Sequence, residues 1–266
     1  MAQIQRYFLE LAYEGTRYHG WQLQPNAITV QQKLNEALAT LLRQPIETTG
    51  AGRTDTGVHA RQLFVHADIP LRQRKTETQD LTAEQSPVYS LLGKRELEGL
   101  NALLPFDIAV RRLIPVQADA HARFDATSRS YEYHIHFHKD PFKVDFSWLL
   151  KGELDIELMN QAATIMMQYT DFSCFSKSNT QVKTNNCKIT RAEWLRNEDG
   201  LVFHISADRF LRNMVRAIVG TCLMVGRKEI EPESIRQIIE SKSRSNAGTS
   251  VPACGLYLTE VKYPYL

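Results

Sequence analysis

The same order of secondary structure elements, β-α-β-β-α-β, is predicted twice in succession along this chain of 266 residues. Strands are indicated where apolar and polar residues alternate, and helices where apolar residues recur every three or four positions. In the first half these patterns predict strands near 7–13, 46–49, 63–69 and 108–114, and helices near 30–42 and 90–103. In the second half they predict strands near 129–138, 187–195, 201–207 and 255–263, and helices near 158–169, 210–225 and 231–242.

Local signals support several of these boundaries. Thr29 and Gln32 have the spacing of a capping box at a helix start, and Pro45 follows the same helix. The segment 197–200, Asn-Glu-Asp-Gly, is typical of a hairpin turn. Because the unit β-α-β-β-α-β is ferredoxin-like, we expect an α/β (α+β) protein of two ferredoxin-like halves, 1–117 and 118–266, whose antiparallel sheets meet around a cleft.

Composition restricts the class of protein. The net charge of +2 includes no block of like charge, which argues against a basic nucleic-acid-binding tail. No stretch approaches the roughly 18 apolar residues of a membrane helix, and the N-terminus lacks the pattern of a secretory signal. The four cysteines form no C-x-x-C pair. We therefore expect a cytoplasmic protein with reduced thiols and no membrane partner.

Two polar segments are predicted to be loops. They are 72–87, which is rich in Gln, Thr and Lys, and 176–186, which has almost no apolar residues. Solvent-exposed connections are the simplest interpretation of both, and contact with a ligand is the alternative.

The segment 50–57, Gly-Ala-Gly-Arg-Thr-Asp-Thr-Gly, carries the densest chemical signal. Its glycines permit unusual backbone conformations and close approach to a ligand, and they flank Arg53, Thr54 and Asp55. A Walker phosphate loop is excluded, because no Gly-Lys-Ser/Thr follows. From the residues alone, a tight turn capped by the aspartate is as good an interpretation as a catalytic loop.

A family resemblance favours the catalytic interpretation. GAGRTDTGVHA closely resembles the active-site motif of the tRNA pseudouridine synthase A family. Further segments resemble that family in the same order along the chain: YEGTRYHGWQ at 13–22, HARF at 121–124, SYEY at 130–133, FLRNMVR at 210–216 with IVG at 218–220, and GLYL at 255–258. Together these motifs span nearly the whole chain.

The resemblance implies the pseudouridine synthase fold, with a central RNA-binding cleft between the two halves. It implies an isomerase that converts uridine to pseudouridine at positions 38, 39 and 40 of the tRNA anticodon stem-loop. Asp55 corresponds to the family's nucleophile, and Arg53 to the arginine that holds the place of the flipped nucleotide. No cofactor is implied, because the reaction is redox-neutral. The implied partners are tRNA, through its anticodon arm, and a second copy of the chain in a homodimer.

Two further catalytic residues are assigned by the same resemblance. Arg216 matches the helix arginine that pairs with the nucleophile, and an adjacent cation favours an ionised carboxylate. A solvated helix arginine is the alternative. Tyr131 matches the active-site tyrosine, whose ring can stack on uracil. The strand pattern alone would allow Tyr133 equally well.

Weaker candidates complete the predicted site. The resemblance adds the substrate-binding segment formed by His121, Ala122, Arg123 and Phe124. A phosphate-binding surface is a further hypothesis for arginines near the motifs, namely Arg111, Arg112, Arg123, Arg129, Arg209 and Arg212. The alternating His134, His136 and His138 suggest zinc, but one strand face spaces three imidazoles too widely to converge, and an exposed polar face is the alternative.

Two other functional classes compete with an isomerase. A nucleosidase or glycosidase could use Asp55, although such enzymes usually need a second carboxylate as general acid. A non-catalytic RNA-binding protein could retain the same fold. The set of Asp55, Arg53, Tyr131 and Arg216 argues against the latter.

Overall fold

The computed structural model describes residues 4–73, 89–90, 92–176 and 184–266 and contains both predicted units. The elements of the first unit are β1 (Ile4–Tyr13), α1 (Val30–Leu42), β2 (Thr48–Gly50), β3 (His59–Pro70), β4 (Arg72–Gln73), β5 (Tyr89–Ser90), α2 (Lys94–Leu103) and β6 (Ile108–Val116). Those of the second unit are β7 (Ser128–His136), β8 (Trp148–Leu149), α3 (Ile156–Met166), β9 (Ile189–Arg196), β10 (Gly200–Ala207), α4 (Met214–Gly226), α5 (Ser234–Glu240) and β11 (Leu256–Lys262).

The two units share one strand order. In the first, β1 lies between β6 and β3, and β2 pairs with the far edge of β3. In the second, β7 lies between β11 and β10, and β9 pairs with the far edge of β10. All of these pairings are antiparallel. The repeated order of elements therefore corresponds to a repeated tertiary arrangement.

A short parallel contact joins the two units into one sheet. The final strand, β11, runs parallel to β3, with Tyr257 opposite His59 and Leu258 opposite Ala60. The complete path is β6-β1-β3-β11-β7-β10-β9. The last strand of the chain thus lies beside the residues that directly follow the 50–57 loop.

Three connections emerge at the same end of the first unit. Tyr13, the last residue of β1, lies opposite Ala60 in β3 and opposite Ile108 in β6. The segments that follow β1, precede β3 and precede β6 therefore meet at one end of the sheet. The 50–57 loop belongs to this end.

The hydrophobic residues form two buried clusters. One contains Phe8, Leu34 and Phe64 from the first unit, and the other contains Trp194 and Phe203 from the second. Burial of such side chains stabilises a fold by about 1.5–3 kcal/mol each. The strand β11 contributes to both clusters, because Leu258 and Val261 lie in the first and Leu256 in the second.

Several predicted boundaries shift by a few residues. The helix predicted from residue 90 begins at Lys94, because Tyr89–Ser90 pairs with Arg72–Gln73 as a strand and Gly93 caps the helix. The helix predicted from residue 210 begins at Met214, because Asn213 has a φ of 67°, which is incompatible with a right-handed helix. Residues 74–87 of the first predicted loop and 177–183 of the second lie outside the described residues.

All four cysteines are free thiols, and burial raises the pKa of Cys187 to about 11 and that of Cys174 to about 12. In the part of the chain that the structure describes, no helix is long and apolar enough to span a bilayer.

Candidate active site

The 50–57 loop connects β2 to β3 and is fixed by backbone hydrogen bonds. Ala51 N–H donates to the carbonyl of Phe64 at 2.8 Å, and Val58 N–H donates to the carbonyl of Asp55 at 3.1 Å. Gly57, which has a φ of 76°, donates to the carbonyl of Tyr18 at 3.3 Å. A left-handed conformation of this kind favours glycine, so the turn after Asp55 depends on the residue type at position 57.

The segment after β1 packs tightly against this loop. The Tyr13 hydroxyl lies 2.8 Å from the hydroxyl oxygen of Thr54, and Trp21 N–H donates to the Thr54 carbonyl at 3.3 Å. Gly20 has a φ of 82°, and a Cβ atom there would lie 2.3 Å from the Thr54 carbonyl oxygen. The backbone preceding Asp55 is therefore held by a close contact that only glycine permits.

Two guanidinium groups flank the Asp55 carboxylate. Arg212 Nε lies 3.5 Å from Oδ1, and Arg216 Nη1 lies 3.9 Å from Oδ2. The Asp55 side chain is 25% exposed, so the carboxylate remains accessible to a substrate. Arg216 is the predicted partner, whereas sequence reasoning placed Arg212 only in the hypothetical phosphate-binding surface. The signal that could have identified it is its position in the segment FLRNMVR at 210–216, which resembles the family.

The start of α4 positions Arg216. Its Nε donates to the carbonyl of Val251 at 2.6 Å, and Val251 N–H donates back to the carbonyl of Arg216 at 3.3 Å. The side-chain amide of Asn213 donates to the Ser250 hydroxyl at 2.5 Å. The Arg216 side chain is 21% exposed and the Arg212 side chain 58%. Arg216 is therefore oriented by the segment before β11, while Arg212 reaches Asp55 from the solvent side.

Tyr131 lies on β7 and contacts both hydrophobic clusters. Its ring packs edge-to-face on Phe210, with ring centroids 5.1 Å apart. Burial raises the pKa of the Tyr131 phenol to about 12, and the negative charge of Asp55 acts in the same direction. The phenol is consequently protonated at neutral pH and can donate a hydrogen bond.

The structure separates Tyr131 from Tyr133, which the strand pattern could not do. Tyr133 is completely buried, and its hydroxyl donates to the Pro252 carbonyl at 2.8 Å. The Tyr133 hydroxyl is thus used in a hydrogen bond within the protein. Of the two tyrosines, Tyr131 is the one whose ionisation is influenced by Asp55.

Arg53 is exposed on the loop, two residues before Asp55. Within the described residues its guanidinium makes no hydrogen bond or ion pair, which leaves its donors available to a ligand.

The segment 121–124 contains both core and surface residues. Ala122 is completely buried; its N–H donates to His66 Nδ1 at 3.1 Å, and its carbonyl accepts from the Tyr263 hydroxyl at 2.5 Å. Phe124 is 76% exposed, and the His121 ring lies 4.2 Å from the Phe124 ring. Ala122 therefore anchors the segment, while His121, Arg123 and Phe124 form its accessible side.

Arg129 connects this segment to the 50–57 loop. Its guanidinium donates to the carbonyls of Ala126 at 3.0 Å, Asp208 at 2.7 Å, Ala51 at 3.0 Å and Arg123 at 2.7 Å. The interpretation of Arg129 as a phosphate-binding surface residue is therefore wrong, because its donors are used within the protein. Arg112, another of those arginines, forms an ion pair with the buried Glu10.

The predicted histidine row does not form a metal site in the described part of the chain. The strand β7 ends at His136, so His138 lies beyond it. The His134 ring nitrogen Nε2 lies 2.9 Å from Glu132 Oε2, and His136 is buried. Among the described residues, no group of three His, Cys, Asp or Glu side chains is arranged to hold a metal ion.

Comparison with known proteins extends the geometric evidence. The tRNA pseudouridine synthase family model matches residues 169–264. A protein of Porphyromonas gingivalis named tRNA pseudouridine synthase A is 51% identical over 261 residues, which cover 97% of each chain. Proteins of the same name are 49% identical in Parabacteroides distasonis, over 98% of this chain and 97% of the relative, and 35% identical in an Exiguobacterium species, over 98% of each.

These similarities span almost the complete chain and include the segments that carry the motifs. The resemblance predicted from those motifs is confirmed: the chain belongs to the tRNA pseudouridine synthase A family.

Proposed function

We propose that the protein isomerises uridine to pseudouridine at positions 38, 39 and 40 of the tRNA anticodon stem-loop, with Asp55 as the nucleophile. The observation that carries the proposal is the accessible Asp55 carboxylate, which lies between Arg212 and Arg216 on a loop fixed by its backbone. Family membership supplies the reaction and the substrate.

The chemistry requires an ionised carboxylate at a fixed position. The reaction breaks the bond between N1 of uracil and the ribose, rotates the base and joins C5 to the ribose. Attack on the base, attack on the sugar and removal of a sugar proton all use the negative form of Asp55. The guanidinium groups of Arg212 and Arg216 favour that form. A covalent intermediate would divide one difficult step into two easier ones.

The other predicted site residues have complementary roles. The Tyr131 ring stacks on the target uracil, and its protonated phenol donates a hydrogen bond or a proton. The free guanidinium of Arg53 occupies the place of the flipped nucleotide, since a paired base is inaccessible to chemistry. His121, Arg123 and Phe124 contact the RNA from the accessible side of their segment.

The assembly and the cellular location belong to the same proposal. The two halves, 1–117 and 118–266, enclose a cleft that holds the RNA around Asp55. The protein acts as a homodimer in the cytoplasm, with each tRNA contacting both subunits. The family resemblance supports the dimer, and the free buried thiols are in keeping with a reducing compartment.

The test is the release of tritium from tRNA that carries tritium at C5 of its uridines. Because C5 exchanges its hydrogen for the bond to ribose, each isomerisation releases one tritium into water. Asp55→Asn should reduce the single-turnover rate by about 10³-fold or more, since the variant loses a covalent catalyst. The matched control is Asp119→Asn, which changes an exposed aspartate on the connection between the halves and should retain the wild-type rate.

The products distinguish the competing classes. Free uracil would identify a nucleosidase or glycosidase, and RNA binding without any product would identify a non-catalytic binding protein. An Asp55→Asn rate within tenfold of wild type would refute the role of Asp55.

A further inference from the structure

An aromatic ring and a guanidinium form an exposed pair outside the Asp55 loop. Phe106, in the connection between α2 and β6, is 90% exposed. The guanidinium carbon of Arg17 lies 4.4 Å from the centroid of its ring, which is a cation–π arrangement. Because the ring remains so exposed with Arg17 over it, its opposite face is open.

A buried carboxylate holds the pair in place. Asp107 Oδ2 accepts from Arg17 Nε at 2.9 Å and from Nη2 at 2.5 Å, and Oδ1 accepts from the Tyr18 hydroxyl at 2.7 Å. The Asp107 side chain is only 2% exposed. The arginine is thus held by two charge-assisted hydrogen bonds to one carboxylate oxygen, which reduces the conformational entropy that it loses when a ligand binds.

The pair lies at the same end of the sheet as the Asp55 loop. Phe106 comes two residues before Ile108, which is opposite Tyr13, and Tyr13 is opposite Ala60 at the start of β3. Two strand spacings separate β6 from β3, a distance of about 10 Å. In addition, the carbonyl of Tyr18, the residue after Arg17, accepts from Gly57 N–H at 3.3 Å. An RNA strand whose target base reaches Asp55 would pass within a few nucleotides of this pair.

We propose that Phe106 and Arg17 form a stacking platform for an unpaired nucleobase that flanks the target uridine in the RNA substrate. The open face of Phe106 stacks on the base, and Arg17 supplies positive charge for the adjacent phosphate. This inference rests on the proposed function, because it names a further contact of the same RNA. A cation fixed on the ring, beside the catalytic loop, fits a polyanion with aromatic bases better than an apolar protein surface.

The platform is tested by the affinity for a transcript of the unmodified anticodon stem-loop. Asp55→Asn serves as the background, so that the RNA is not consumed. Adding Phe106→Ala should raise the dissociation constant by about 5- to 150-fold, the range of one lost base stack. Phe106→Trp should retain the affinity, and the fluorescence of the new indole should be quenched when RNA binds. Since Phe106 is 90% exposed, these changes leave the core intact.

Phe142→Ala is the matched control, because Phe142 is 88% exposed but lies in the second unit, after β7. Its affinity for the transcript should equal that of the background. Equal RNA affinities for Phe106→Ala and the background would overturn the platform. A change in the molar mass of the Phe106→Ala protein in solution, with unchanged RNA affinity, would also overturn it and would assign Phe106 to a contact between protein chains. Absence of RNA binding and of tritium release in the wild type would overturn the proposed function first.

Discussion

Arg129 is expected to stabilise the junction between the 50–57 loop and the second unit. Its guanidinium donates to carbonyls in three separate segments: the loop at Ala51, the connection at Arg123 and Ala126, and the turn after β10 at Asp208. Burial lowers the pKa of Arg129, which shows that its charge lies partly away from water. Replacing Arg129 with methionine would remove all four hydrogen bonds while retaining most of the aliphatic volume.

The magnitude follows from those contacts. A hydrogen bond to a charged group contributes about 1.5–3 kcal/mol, but carbonyls near the surface regain water when the donor is lost. The Ala51 carbonyl belongs to a residue that is 1% exposed, so the loss of its hydrogen bond is the one that water compensates least. Arg129 is itself half-buried, so replacing it also removes the cost of desolvating its charge, and this offsets part of the lost stability. We expect Arg129→Met to lower the free energy of unfolding by about 2–4 kcal/mol.

Urea denaturation would measure this change, provided that the slope with denaturant concentration stays constant. Arg129→Lys should recover only part of the loss, because one ammonium group cannot reproduce the planar fork. Arg111→Met, at an exposed arginine of β6, is the matched control and should change the stability by less than about 0.5 kcal/mol. An Arg129→Met variant whose stability changes by less than that same limit would refute the structural role of Arg129.

The remaining predictions concern the tyrosine, a buried histidine and the RNA. Tyr131→Phe keeps the aromatic ring and removes the hydroxyl group. A loss of about 10²–10⁴-fold in the single-turnover rate of this variant would indicate that the hydroxyl takes part in proton transfer. If the ring acts by stacking alone, Phe should retain the rate and Tyr131→Leu should lose it; near-normal rates in both would remove Tyr131 from the site. Burial lowers the pKa of His66 from 6.5 to about 4, so its neutral form stabilises the fold above pH 6.5 and this contribution is lost as the pH falls toward 4. Over that pH range the free energy of unfolding should depend less on pH in His66→Asn than in the wild type, and the asparagine retains an acceptor for Ala122 N–H. Identical pH profiles of the two proteins would contradict this. The logarithm of the tRNA affinity should fall linearly with the logarithm of salt concentration, and a salt-independent affinity would argue against phosphate contacts.

Much of the fold follows from local patterns of residues and could be predicted from the sequence. Apolar periodicity identified the strands and helices, and the repeated order of elements indicated two similar units. Errors occurred at element ends, as at Lys94 and Met214, where a strand pairing or one residue with positive φ decides the boundary. Periodicity cannot detect such features, because they depend on a partner strand or on a single backbone angle.

The sequence also identified the residues of one continuous motif. Arg53 and Asp55 are close in the chain, and the flanking glycines showed that this segment adopts a special conformation. The family resemblance then added Arg216 and Tyr131, which lie far from Asp55 along the chain. Composition and periodicity alone could not have selected them.

Only the tertiary structure decided how distant residues meet. Arg212 lies beside Asp55, and the Tyr133 hydroxyl donates to a backbone carbonyl. Arg129 donates to backbone carbonyls and is not free to bind RNA phosphates. The physical reason is that a side chain's partners depend on which segments the sheet brings together. Here the parallel contact of β11 with β3, near His59, brings the second unit to the 50–57 loop, and no local pattern in the sequence predicts that contact.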